Sequence, residues 1–161
     1  MRIYMAGAMF TRADADYNVR LATKLRSFGF EVYCPNESEP INDKTRTDVT
    51  GRLIYAVDIG ELEASNVVLI QVSEDSGSNW EAGYMDALTR YHESDDYYGV
   101  MGIATDIRLQ AIPNPNQFGV DNQAGYLNQL VVGGLHESLG IFTNEDDAIA
   151  ELVNLRDQRE G

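Results

Sequence analysis

The stretch Val67-Val68-Leu69-Ile70 is an unbroken apolar run in which three of the four residues are β-branched. Such a short run, with no polar residue alternating in it, is typical of a strand in a parallel sheet that helices cover on both faces. The turn-forming sequence Ser-Glu-Asp-Ser-Gly-Ser at residues 73–78 follows and ends the strand. We therefore take this run as the central strand and interpret the rest of the chain outward from it.

Strand-like and helix-like segments alternate on both sides of the central run. Further strands are predicted at residues 2–6, 30–34, 97–104 and 139–142. Helices are predicted at residues 13–28, from a cap at Thr47 or Asp48 to Gly60, at 79–91, at 126–132, and from 145 to about 156. This order, with no internal repeat, predicts one α/β domain over residues 1–161. We expect a doubly wound, Rossmann- or flavodoxin-like sheet of five mainly parallel strands with helices on both faces.

The composition excludes several classes of partner and of site. The 161 residues include 12 basic and 26 acidic ones, which gives a formal charge of −14. Such a surface repels phosphate backbones and anionic lipids, so neither a nucleic acid nor a membrane is an expected partner. One cysteine and two histidines are too few for a disulfide or the usual zinc site, so we expect no metal and a buried Cys34. No apolar run approaches the ~20 residues that span a bilayer, and we expect a cytoplasmic protein.

Loops at the carboxyl ends of the strands are where doubly wound sheets bind their ligands. Three segments meet this description: residues 7–11, 72–78 and 105–125. The chain has no G-x-x-x-x-G-K-[ST] phosphate loop, and no G-x-G-x-x-G dinucleotide motif follows the first strand. The third segment is long for a compact domain, and we expect it to act as a lid that keeps water from the site.

Three carboxylates surround the central strand in sequence. Asp75 lies in the loop after it, Glu81 lies six residues later, and Asp58 lies near the end of the preceding helix. The neighbours of Glu81 at positions 80 and 82–85 are small, aromatic or apolar, so Glu81 does not belong to a solvated acidic face. Its predicted place in the first turns of a helix should favour the ionised form by about 0.3–1 kcal/mol. An ionised carboxylate in a mainly apolar pocket is suited to be a nucleophile at a sugar carbon.

Four segments together resemble a known family. They are residues 3–10 (IYMAGAMF), 58–62 (DIGEL), 75–84 (DSGSNWEAGY) and 127–130 (LNQL). The D-x-G-x-x-x-E-x-G-Y block between a strand and a helix is a fairly specific signature, and the matches at Tyr4 and Asp58 strengthen it. The chain therefore resembles the nucleoside 2-deoxyribosyltransferases, which exchange the base of a 2′-deoxyribonucleoside for another base.

The resemblance implies a role for individual residues. Glu81 would be the nucleophile that attacks C1′ and forms a covalent deoxyribosyl ester, and Tyr4 would orient its carboxylate by a hydrogen bond. Asp58 and Asp75 would contact the base and transfer its proton. The implied substrate-binding residues are Gly7, Met9, Phe10, Gly77, Leu130 and Asn128, the last of which would bind the sugar 5′-hydroxyl across a subunit boundary.

The implied reaction is a double displacement that requires neither a metal nor a redox cofactor. Its small-molecule partners would be 2′-deoxynucleosides and free purine or pyrimidine bases in nucleotide salvage, and the protein would be a homo-oligomer with shared sites. Two alternatives stay open: a hydrolase that cleaves nucleosides or nucleoside 5′-monophosphates, and a non-catalytic nucleotide-binding sensor. Asp106 and Arg108 form a Thr-Asp-x-Arg pattern, which we interpret as a structural ion pair.

Overall fold

The computed structural model describes residues 1–43, 45–110, 116 and 127–161. The strands are β1 (Arg2–Ala6), β2 (Glu31–Tyr33), β3 (Val67–Gln71), β4 (Gly99–Ile103) and β5 (Ile141–Phe142). The helices are α1 (Arg12–Ser27), α2 (Glu39–Asn42), α3 (Gly51–Glu63), α4 (Ser76–Tyr91), α5 (Gln129–His136) and α6 (Glu145–Glu160). Two short 3₁₀ turns, Pro35–Glu37 and Ile107–Gln110, lie in the loops.

One sheet contains the five strands in the order β2-β1-β3-β4-β5, and every adjacent pair is parallel. This confirms the predicted α/β fold with the Val67–Gln71 strand at its centre. The chain reverses its direction across the sheet between β1 and β3, because β2 pairs on one side of β1 and β3 on the other. A ligand crevice is expected at this reversal, outside the carboxyl ends of β1 and β3.

The two faces of the sheet bury separate clusters, because alternate side chains of a strand point to opposite sides. On one face, Ile3 and Met5 of β1 pack with side chains of α1 and α6, and we call this the α1/α6 face. On the other, Tyr4 and Ala6 pack with side chains of α3, α4 and α5, and we call this the α3/α4/α5 face. Cys34 is 2% exposed in the first cluster, which confirms its predicted burial.

Helices α3 and α4 begin at residues other than the predicted ones. Side-chain caps accept hydrogen bonds from backbone amides in the first turns of α1, α3, α4, α5 and α6; they are Thr11, Thr50, Asp75, Asn128 and Asn144. The cap of α3 is thus Thr50, and the prediction of Thr47 or Asp48 was wrong. Helix α4 begins at Ser76 and not near residue 79, because the Asp75 cap brings the loop-like residues that follow it into the first turn.

The observed ends of β4, β5, α5 and α6 also differ from the predicted ones. Strand β5 starts at Ile141 and not at residue 139, because Gly140 has a φ of +90° and donates its amide to the end of α5. Strand β4 is shorter than the predicted 97–104, α5 begins later than the predicted 126, and α6 continues past 156. Most of the predicted lid at residues 105–125 lies outside the described residues, which contain only 105–110 and 116 of it.

None of the helices in the described part of the chain is both long enough and apolar enough to cross a membrane. The ion pair predicted between Asp106 and Arg108 is present, and it lowers the pKa of Asp106 to about 2.

Candidate active site

A tyrosine of β1 and a glutamate of α4 meet on the α3/α4/α5 face. The Tyr4 hydroxyl donates a hydrogen bond to Glu81 Oε1 over 2.7 Å. Tyr4 is fully buried, and its ring lies within the apolar cluster of this face. The hydroxyl is the part of the side chain that needs a hydrogen-bond partner. The structure thus brings together the two residues that the resemblance assigned to nucleophile and orienting group.

The position of Glu81 is set by how α4 begins. Asp75 Oδ2 accepts a hydrogen bond from the Ser78 amide at 2.8 Å and another from the Ser78 hydroxyl. Ser78 is itself buried, and Asn79 donates to the carbonyls of Ser73 and Asp75 at 3.0 and 2.7 Å. These bonds fix the first turn of α4, and Glu81 follows in the second turn, facing β1.

Asp58 of α3 lies beside the Tyr4–Glu81 pair. Its Oδ1 is buried and has no hydrogen-bond partner among the residues that the structure describes. The nearby Tyr4 hydroxyl lowers its pKa, but burial is the larger effect and, with Glu61, leaves the pKa of Asp58 raised. A buried acceptor without a donor costs about 1–3 kcal/mol, so this oxygen is poised to receive a proton or a donor from a ligand.

Tyr33 is a fourth member of the site that the sequence analysis missed. It lies directly opposite Tyr4 in the parallel register of β1 and β2, with ring centroids 5.2 Å apart. Burial and the carboxylates of Asp58, Glu61 and Glu81 raise its pKa. The sequence places residue 33 inside the predicted strand 30–34, but only the pairing of β1 with β2 brings it beside Tyr4.

The electrostatics of the site are dominated by burial. The pKa of Glu81 is raised to about 7, mainly by burial and further by Asp58 and Asp75, while the hydrogen bond from Tyr4 lowers it. Burial and the charges of Glu81 and Asp58 also raise the pKa of Tyr4, so its hydroxyl keeps its proton and remains a donor.

The net shift of the Glu81 pKa is opposite to the shift that a helix N-terminus alone would produce. Because α4 begins at Ser76, Glu81 lies beyond the first turn, where the influence of the helix end fades. Burial then decides the direction of the shift. Asp58 contributes to this shift, so the protonation of the two neighbouring carboxylates is coupled.

The predicted residues of the loop after β1 lie at the carboxyl edge of the sheet. A Cβ on Gly7 would stand 3.2 Å from Asn18 Oδ1 and 3.3 Å from Gln71 Oε1, so the backbone passes too close for a larger residue without a shift. Met9 is half-buried and Phe10 is 81% exposed, so Phe10 is not a core residue. The loop offers an apolar side chain to solvent next to the expected crevice.

The predicted residues of the later segments lie on α4 and α5. Gly77 is in the first turn of α4, and Asn128 Oδ1 accepts the Leu130 amide as the cap of α5. Leu130 is 85% exposed and borders a pocket of about 230 Å³ between α4 and α5. Leu130 lines this pocket together with Ala82 and Gly83, the residues that follow Glu81 on α4, whereas Tyr4 and Glu81 are not among its lining residues.

Two further features bear on what the site can hold. An open cleft of about 770 Å³ beyond β2 is lined by Asn36, Glu37, Glu39, Asn42, Asp43 and Arg46, and does not include the Tyr4–Glu81 pair. In the described ranges, no three His, Cys, Asp or Glu side chains converge as ligands of a metal ion. The groups near the Tyr4–Glu81 pair are the carboxylates of Glu81, Asp58 and Asp75 and the phenols of Tyr4 and Tyr33.

Comparison with protein families matches residues 3–128 to the model of the nucleoside 2-deoxyribosyltransferases. The match covers most of the chain and includes Tyr4, Asp58, Asp75, Glu81 and Asn128. No curated protein matches the sequence.

Solved structures with the same fold include proteins of more than one described activity. A conserved protein from Enterococcus faecalis V583 is 27% identical with a TM-score of 0.80, over 97% of this chain and 98% of that one. A 2-deoxyribosyltransferase from the psychrotolerant bacterium Bacillus psychrosaccharolyticus is 15% identical with a TM-score of 0.62, over 92% and 90%. The CMP N-glycosidase BcmB from Clostridium botulinum is 12% identical with a TM-score of 0.51, over 94% and 97%. At these identities the last two likenesses establish a shared fold.

Proposed function

The chain belongs to the nucleoside 2-deoxyribosyltransferase family, and from that premise we propose that it moves a 2-deoxyribosyl group from one nucleobase to another through a covalent ester on Glu81. The observation that carries the proposal is the hydrogen bond from the buried Tyr4 hydroxyl to the Glu81 carboxylate. A buried carboxylate that is held by a neutral phenol keeps more of its basicity than one paired with a cation. This is what attack on a sugar carbon requires.

In the first half-reaction, one Glu81 oxygen forms a bond to C1′ of the deoxynucleoside. The C1′–N bond breaks, and its electron pair goes to the nitrogen of the departing base. The sugar passes through an oxocarbenium-like state that the adjacent carboxylate stabilises, as in retaining glycosidases. The Tyr4 hydroxyl keeps Glu81 oriented, so the reacting oxygen does not rotate away during the attack.

Asp58 is the acid that we assign to the departing base. Burial raises the pKa of Asp58, which makes its carboxyl easier to protonate than an exposed one, and the buried Oδ1 lacks a donor among the described residues. Protonating the base nitrogen neutralises the leaving group, a contribution of typically 10²–10⁴-fold. Asp75, whose Oδ2 caps α4, would contact the base through its other oxygen.

In the second half-reaction, a nitrogen of the incoming base attacks C1′ and the ester bond to Glu81 breaks. The Glu81 carboxylate is regenerated, and the proton of the incoming base passes to the Asp58 carboxylate. Both bases therefore use the same acid–base group, and the cycle returns each residue to its starting state. No co-reactant is consumed apart from the two substrates.

Substrate contacts complete the proposal. Met9, Phe10 and the Gly7 backbone would line the base, and Gly77 would let the start of α4 approach the sugar. Asn128 and Leu130 would come from a second copy of the chain, as the resemblance to the family implies. The exposed side chains of Phe10, Trp80 and Leu130 support a surface of this kind.

The test is to incubate the purified protein with a 2′-deoxynucleoside and a different free base. Formation of the exchanged nucleoside is the expected result, with a deoxyribosyl mass adduct on Glu81 when no acceptor base is added. Accumulation of free sugar and base alone would assign the protein to the hydrolases, for which the shared fold with a CMP N-glycosidase gives a precedent. A ligand-induced rise in Tm without any reaction would indicate a sensor.

A further inference from the structure

Asn18 is a buried polar residue at a position where α1 otherwise presents apolar side chains to the sheet. It is 4% exposed and shares the buried side of α1 with Leu21, Ala22 and Leu25, at the i+3, i+4 and i+7 positions. Asn18, Ser65 and Ser78 are the polar side chains buried in the described part of the chain. A polar group in such a place needs hydrogen bonds that outweigh its desolvation.

Both amide protons of Asn18 are used, and they join two different loops. Its Nδ2 donates to the carbonyl oxygen of Ala8 at 3.0 Å and to Asn36 Oδ1 at 2.9 Å. Ala8 lies in the loop after β1, and Asn36 lies in the 3₁₀ turn after β2. One side chain therefore links the carboxyl ends of two neighbouring strands.

The same side chain limits how the loop after β1 can move. Asn18 Oδ1 and Gln71 Oε1 both lie against the Gly7 backbone, where an added Cβ would meet them at 3.2 and 3.3 Å. Gly7 is thus held between α1 and the end of β3, and the next residue is held by its carbonyl. Met9 and Phe10 follow at once, so their positions depend on this anchor.

We propose that Asn18 is a positioning residue for the nucleobase, because its amide fixes the Gly7–Phe10 loop in the conformation that presents Met9 and Phe10 to the base. The inference rests on the proposed function, in which this loop contacts the base. Asn18 acts from the α1/α6 face, whereas Tyr4 supports Glu81 from the α3/α4/α5 face. Loss of Asn18 should therefore weaken the binding of the base and leave the chemical step largely intact.

The variants separate the two hydrogen bonds. Asn18→Asp keeps the shape but cannot donate to the Ala8 carbonyl, whereas the amide of Asn36 can still turn to donate to the new carboxylate. Asn36→Ala removes the bond from Asn18 to the second loop and the weak contact at 3.9 Å from Cys34 Sγ, while the bond from Asn18 to Ala8 stays. Ser65→Ala is the matched control, because Ser65 is equally buried and donates to the Glu61 carbonyl at 2.8 Å, before β3 and at the other end of the sheet.

Two measurements are made on each variant. Steady-state assays give KM and kcat for nucleoside and free base. The fluorescence of Trp80, the single tryptophan and the neighbour of Glu81, gives the Kd of adenine and cytosine as probes. For Asn18→Asp we expect KM and Kd to rise about tenfold, the effect of one lost hydrogen bond and a repelled carbonyl, with kcat within about twofold. For Asn36→Ala we expect a rise of about threefold.

Ser65→Ala should lower Tm without changing KM or Kd. Unchanged base affinity in Asn18→Asp, or a fall in kcat at constant KM, would overturn the positioning role. A wild-type protein that cleaves nucleosides without exchanging bases would contradict the proposed transfer, but the nucleoside KM of the same variants would still test Asn18. A wild-type protein that binds neither probe and cleaves nothing would contradict both.

Discussion

The two faces of the sheet surround a glutamate carboxylate with opposite kinds of groups. At the rim of the α1/α6 face, Glu145 is paired with Arg20 at 2.6 Å and with Lys24 at 3.2 Å, above an apolar cluster. On the α3/α4/α5 face, Glu81 is buried against a tyrosine, and the other charged groups that shift its pKa are carboxylates. Ion pairs on the first face stabilise the ionised form of Glu145. Burial on the second face destabilises the ionised form of Glu81.

The pKa values express this difference. The ion pairs lower the pKa of Glu145 to about 2, so its ionised form stabilises the folded protein. Burial raises the pKa of Glu81 to about 7, so its ionised form destabilises the folded protein. A pKa that is shifted by burial near a strand-end crevice is common at catalytic sites. A pKa that is shifted by an exposed ion-pair network is common on protein surfaces. The comparison therefore predicts opposite outcomes for the two glutamates.

Replacing Glu81 should have the largest effect. We expect Glu81→Gln to lower the exchange rate by roughly 10³-fold or more, because no ester can form, while the fold is retained. Initial rates of exchange and intact-protein mass after incubation with deoxynucleoside measure both consequences. Glu145→Gln is the matched control on the other face, and exchange by Glu81→Gln at a rate near that of wild type would refute the nucleophile.

Removing the Tyr4 hydroxyl should have the next largest effect. We expect Tyr4→Phe to reduce kcat by roughly 10²-fold, a typical effect of losing one donor to a reacting oxygen. Because the lost hydrogen bond lowers the pKa of Glu81, the acid limb of the pH–rate profile should also move to higher pH. Tyr17→Phe, at a half-buried tyrosine packed against the α1/α6 cluster, is the control. An acid limb that stays in place would indicate that Tyr4 is structural.

The pH dependence of stability should distinguish the faces next. Between the usual value of 4.5 and the folded value of about 7, the folded protein binds more protons at Glu81 than the unfolded chain does. The free energy of unfolding should therefore fall as pH rises through this window, by roughly 3 kcal/mol at most. Urea denaturation between pH 4 and 8 measures the slope, and Glu81→Gln should flatten it. An equal slope in that variant would place the proton elsewhere.

The sequence predicted the parts of the molecule that follow from local pattern. The apolar run at Val67 predicted the central strand, and the block from Asp75 to Glu81 predicted a turn from that strand into a helix beside the expected crevice. It could not give the direction of the Glu81 pKa shift, which depends on burial by β1 and α4. Tyr33 and Asn18 were missed because their partners are distant in sequence and adjacent only after β1 and β2 pair.

The smallest expected effect is at Glu145. Its ion pairs with Arg20 and Lys24 are partly exposed, so Glu145→Gln should lower the free energy of unfolding by about 1 kcal/mol near pH 7. The difference should vanish as pH falls from the usual 4.5 toward about 2, because the wild-type carboxylate is protonated there as well. Chemical denaturation of both proteins at several pH values measures it, and kcat and KM should not change. A loss of exchange activity in this variant would show that the α1/α6 face contributes to the chemistry through the sheet, and the separation of the two faces would have to be abandoned.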